Sequence, residues 1–170
     1  MSGIVTRTFW GDPEDWYTQV NLGGFALRSE DQRGDLTDET WQLNANLLGP
    51  WQSNLGLNLS RGSERLGGTL YEDLDRVGVN LQAQPTGSLR IALRGEIGDT
   101  LDYSNLQRAD LLELQPVVEM KIGSRVNATL DYTLQRLDVD GGRLFTAGLG
   151  QLELTYHFSV RCFMRGILQH

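Results

Sequence analysis

Apolar and polar residues alternate one by one along most of this chain. Residues 40–48 run Thr-Trp-Gln-Leu-Asn-Ala-Asn-Leu-Leu, so Trp41, Leu43, Ala45 and Leu47 share one side and Gln42, Asn44 and Asn46 the other. Successive side chains of an extended strand point to opposite faces, whereas a helix would mix the two sets. The pattern returns at Leu55, Leu57 and Leu59 against Asn54, Gly56, Asn58 and Ser60, and at Val77, Val79, Leu81 and Ala83 against Gly78, Asn80, Gln82 and Gln84. It returns again in 89–97, 112–121, 126–135 and 151–158.

This periodicity predicts an all-β, antiparallel, up-and-down meander of nine strands, near 16–27, 39–48, 51–61, 75–84, 88–98, 110–121, 125–136, 144–158 and 160–169. No stretch has the 3.6-residue pattern of an amphipathic helix. The expected connections alternate in length. Segments 28–38, 62–74 and 99–109 read as long charged loops and 137–143 as one of intermediate length, while Gly49-Pro50, Pro85-Thr86-Gly87, Ile122-Gly123-Ser124 and Phe158-Ser159-Val160 read as tight turns. Strands of about ten residues joined by alternately short and long connections match outer-membrane β-barrels, which need ~9–11 residues per crossing. The expectation is therefore one barrel domain, or part of a larger barrel, spanning 1–170.

Composition narrows the picture. With 22 acidic against 15 basic residues the net charge is -7, which argues against a nucleic-acid partner, since such proteins carry basic patches. Lys121 is the only lysine, which fits either an outer surface that does not meet water or a codon usage that favours arginine over lysine. The lone cysteine, Cys162, excludes an intrachain disulfide. The opening MSGIVTRTFWGD lacks the apolar core of a signal peptide, so an export signal is expected upstream of this segment. Aromatic residues such as Trp16, Tyr17, Trp41, Trp51, Tyr132, Tyr156 and Phe158 fall mostly near expected strand ends, where barrels collect them at the membrane interfaces.

Periodicity does not say which face points inward. In the membrane-barrel reading Leu43, Leu57, Val79, Leu81, Ile91, Leu114, Leu130 and Leu154 face lipid, and bilayer lipid is the partner. Arg90, Arg94, Glu96, Glu113, Glu119, Asp131, Glu153, Arg161 and Arg165 then project into the lumen. Such charges form either a selective constriction or a network of ion pairs filling a narrow pore. No catalytic, cofactor or metal motif stands out. His157 has no Cys or His at metal-ligand spacing. Asp138-Val139-Asp140-Gly141-Gly142 lacks the remaining positions of a calcium loop and reads as turn chemistry.

The segment 152–169 carries Tyr156 and Phe158 before a turn, then Arg161, Phe163, Arg165 and Gln169 after it. It resembles the strand–turn–strand near the C-terminal end of a family of bacterial surface proteins. These join a family-9-like carbohydrate-binding module to a barrel domain of unknown function. The resemblance implies a piece of that barrel domain, without the module, in the outer membrane of a Gram-negative bacterium. It further implies more strands beyond His170 and an indirect link to carbohydrate, and it supplies no catalytic residue. A soluble lipocalin-like barrel with an apolar ligand inside is the alternative. A hydrolase using Glu113, Glu119 or Glu153 is a second. If the barrel is incomplete, its open edges invite self-association.

Overall fold

The computed structural model describes all 170 residues. It contains ten strands and no helix: β1 (Ser2–Trp10), β2 (Gln19–Glu30), β3 (Leu36–Gly49), β4 (Ser53–Leu66), β5 (Thr69–Thr86), β6 (Leu89–Asp102), β7 (Gln107–Ile122), β8 (Val126–Val139), β9 (Gly142–Ser159) and β10 (Cys162–Gln169). They form a single antiparallel sheet in chain order, each strand paired with its sequence neighbours. The sheet is open, with β1 and β10 as its two edges.

Nine strands match the expected ones in order, and β1 is an addition. In β1 neither side is uniformly apolar: Val5 and Phe9 share a face with Arg7, while Ile4 and Trp10 share the other with Thr6 and Thr8. Its backbone pairs with β2 along its whole length all the same.

The three expected long loops and the intermediate one, 137–143, are mostly strand. The residues left between strands at that end of the sheet are only 31–35, 67–68, 103–106 and 140–141. The expected loop segments are rich in charged residues, but every buried or half-buried N–H and C=O still needs a partner, and the neighbouring strand provides it. Gly67 and Gly68 make this possible in the β4–β5 hairpin, with φ of 59° and 87°. Two consecutive positive φ values are what a two-residue hairpin turn requires. At the opposite end the connections are 11–18, 50–52, 87–88, 123–125 and 160–161. The two ends thus differ in how far the strands reach, not in loop length. Arg161 falls in the last of these turns, as do Trp51 and Gln52 in the second, rather than on strands as expected.

The ladder between β7 and β8 lapses at Gln115 and Pro116, while the ladder to β6 runs through both. Proline has no N–H to donate and is therefore poorly suited to a central strand.

Almost nothing is fully buried. Leu74, Leu101 and Ala109, with the polar Asp102, are the only buried residues. All four lie where the β4–β5 tip folds against the β6–β7 hairpin. There Asp73 adopts a φ of 54°, and β5 leaves β6 beyond the Arg76–Gly98 pair. Arg108 of β7 donates to the carbonyls of Glu72 and Asp73, at 3.4 and 2.5 Å. Elsewhere the sheet is a single layer.

Candidate functional site: two faces and a charged belt

Register carries the alternation across the sheet. On one face Leu57 of β4 stands opposite Ala45 of β3 and Val79 of β5. Leu81 stands opposite Leu93, Ile91 opposite Val118, and Val118 opposite Leu130. Leu154 faces Ala128 and Leu43 faces Leu59. All eight residues expected to meet lipid, Leu114 among them, therefore share this apolar face. It is openly exposed: Leu43 at 63%, Leu57 at 45%, Leu130 at 50% and Leu154 at 47% of their full surface. Water-exposed apolar patches of this extent are rare on soluble monomers.

The apolar band has a sharp limit at the end where the strands reach furthest. On the same face, Trp41 is followed by Glu39, Leu59 by Arg61, Val77 by Asp75, Ile97 by Asp99, Leu112 by Asp110 and Leu134 by Arg136. These charges form a belt and pair with one another. Arg61 holds Asp75 by two hydrogen bonds of 2.6 and 2.5 Å. Arg108 reaches Asp99 at 2.8 Å, and Arg136 reaches Asp138 at 2.6 Å. Asp99, Asp110 and Asp138 lie in one cross-strand row, so the arginines offset like charges set side by side. Hydrogen bonds from the neighbouring arginine hold the carboxyls of Asp75, Asp99 and Asp138 below the usual carboxylate range. The Asp102 carboxylate closes the β6–β7 turn by accepting from Asn105 and Gln107 side chains and from the Ser104 and Asn105 amides, and these bonds lower it as well.

The other face is largely polar, and Asn80 and Arg94 are exposed on it. Here amides hydrogen-bond one another across strands: Asn58 Nδ2 donates to Asn44 Oδ1 at 2.6 Å, Gln42 Nε2 to the same oxygen at 3.0 Å, and Asn46 Nδ2 to Asn54 Oδ1 at 2.7 Å. Across β3–β6 this face is hollowed into a trough of about 670 Å³. A second depression, about 660 Å³, lies on the apolar face beside Gly3 and Gly24, where no side chain covers the backbone.

Eight of the nine charges expected on the lumen side, all but Arg161, do share the polar face. Several are paired: Arg90 with Glu119 at 3.0 Å and Arg165 with Glu153 at 2.5 Å. Arg76 pairs with Glu96 at 3.7 Å and joins the set, its place readable from the parity of Gly78 and Asn80. Arg94, Glu113 and Asp131 form no ion pair, and Glu113 stands directly opposite Glu96. Of the carboxylates considered for hydrolysis, Glu119 and Glu153 are thus engaged by arginines. His157 lies 3.3 Å from the Asn127 amide on the same face. Cys162 is an exposed free thiol. No group of three or more His, Cys, Asp or Glu is arranged to hold a metal ion.

The fold and its faces define a class: a single-layer antiparallel β-meander with one apolar and one polar side. No protein-family model, curated protein or solved structure matches the chain.

Proposed function

We propose that this chain contributes its ten strands to the wall of an outer-membrane-type β-barrel, with the apolar face against lipid and the polar face lining the lumen. The observation that carries this reading is the apolar band and its charged limit, with Arg7 of β1, opposite Leu22, the one charge inside the band on that face. In β6 the band runs from Leu89 to Ile97, eight steps of about 3.4 Å, or roughly 27 Å along the strand. Tilted by about 35–45°, such a strand covers about 19–22 Å of membrane depth, close to the ~25 Å apolar band of such barrels. Tyr156 and Phe158 pack edge to face, 4.8 Å apart, near the other end of the band, where an aromatic girdle belongs.

The polar face supports the same assignment. Small uncharged groups satisfy one another there, as suits a narrow aqueous lumen, and the open edges β1 and β10 would need strand partners within a bilayer. The barrel serves as a pore or an anchor, and the resemblance of residues 152–169 supports reading it as part of a surface protein linked to carbohydrate. Circular dichroism and light scattering in buffer and in detergent micelles test the reading. A stable β signal confined to micelles is the expected result. A monomeric β protein that melts cooperatively in plain buffer would sink it and turn attention to a soluble ligand-binding barrel.

A further inference from the structure

We propose that the polar trough is a binding site for a small, neutral, polyhydroxylated solute, with Asn80 and Arg94 as its principal contacts; this deepens the lumen assignment above and rests on its water-filled polar face rather than on the bilayer. Asn80 of β5 and Arg94 of β6 stand directly opposite each other, and both line the trough. Neither side chain forms a hydrogen bond or ion pair with the protein, although the trough amides Gln42, Asn44, Asn46 and Asn58 are all engaged. Gln115, next in the same cross-strand row, is likewise without a side-chain partner. Gly56 precedes Asn80 in that row and Gly78 lies beside it, so the floor is bare backbone where a ligand can approach.

The chemistry of the row selects the ligand class. Asn80 and Gln115 each offer two donors and an acceptor, and Arg94 offers a planar fork of donors. Hydroxyl groups, which both donate and accept, match such a set. Ions do not. Arg76 is offset by Glu96 at 3.7 Å, and Glu113, just outside the trough one row from Arg94, weakens the pull of the remaining Arg94 on an anion. No aromatic ring lines the trough, so recognition is by hydrogen bonds rather than by stacking.

The full chain, in whichever of buffer or micelles gives it a stable β signal, is titrated with sucrose and, separately, with potassium acetate, by isothermal titration calorimetry. Sucrose binding that weakens about tenfold or more in both Asn80→Ala and Arg94→Ala, with circular dichroism unchanged, is the expected result, because each variant loses a hydrogen bond to a polar ligand. Gln169→Ala, on the same face but far from the trough, retains wild-type binding. Absence of sucrose binding, binding indifferent to both substitutions, or preference for acetate would each overturn the proposal. Binding observed in buffer with a monomeric chain would retire the membrane reading while leaving this site standing.

Discussion

Arg61 and Asp75 face each other across β4 and β5 and share two hydrogen bonds, at 2.6 and 2.5 Å, at the point where the apolar face gives way to charge. Both are about half exposed, so the pair is a weak contributor to stability by itself. Its significance is positional. Together with Arg108–Asp99 and Arg136–Asp138 it marks one boundary of the apolar band.

The belt predicts a pH dependence. Asp75, Asp99 and Asp138 are each held below the ordinary carboxylate value of about 3.9 by an arginine hydrogen bond. Groups lowered in the folded state contribute stability that is fully present above the unfolded value and is lost as pH falls through the folded one. The melting temperature should hold from neutral pH to about 5 and fall below about 4. Asp99→Asn should be less stable at neutral pH and show a shallower acid limb, measured by thermal melts from pH 7 to 2.

The two faces predict opposite tolerances for charge. Leu130→Arg, in the middle of the apolar band, should cost about 2–4 kcal/mol of stability in lipid vesicles. Thr129→Arg, one residue away on the polar face, should cost much less. Equilibrium urea unfolding of both variants in vesicles measures the difference, and equal costs would count against a lipid-facing band.

Gly98 predicts a strict requirement for glycine. Its φ is 139°, and an added Cβ would sit 2.1 Å from the Asp75 carbonyl oxygen and 2.7 Å from the Arg76 Cα. Both obstacles are backbone, so β5 would have to move. Gly98→Ala should destabilise by about 1–3 kcal/mol or more, the usual scale of such backbone strain, and should loosen the β4–β5 tip. Thermal melting and amide exchange of the Arg76–Gly98 region would report both effects.

Pro116 predicts a gain. It interrupts the β7–β8 ladder in mid-sheet. Pro116→Val restores an N–H and keeps an apolar side chain toward Leu93. A stabilisation of about 0.5–1.5 kcal/mol is expected, the net value of one backbone hydrogen bond. Unchanged or lowered stability would show that the lapse has a cause other than the missing donor.

The alternation of Trp41, Leu43, Ala45 and Leu47 with Gln42, Asn44 and Asn46 determined by itself that the chain forms strands with one apolar and one polar side, because a period of two admits no other regular backbone. The same parity placed Leu57, Val79 and Leu130 together, and Arg90, Glu119 and Glu153 on the reverse. Only the tertiary structure decided how far each strand runs. Backbone pairing is indifferent to side-chain polarity, so the charged stretches after Arg28, Arg61, Gly98 and Leu137 became strand and turned their charges into a belt. It alone joined β1, whose mixed faces hide its period, and moved Arg161 into a turn. It also decided partners. Nothing in the order of residues announces that Arg61 meets Asp75 fourteen positions on, or that Asn80 and Arg94 share a row with no protein partner, because register between strands follows from turn geometry and packing rather than from either strand alone.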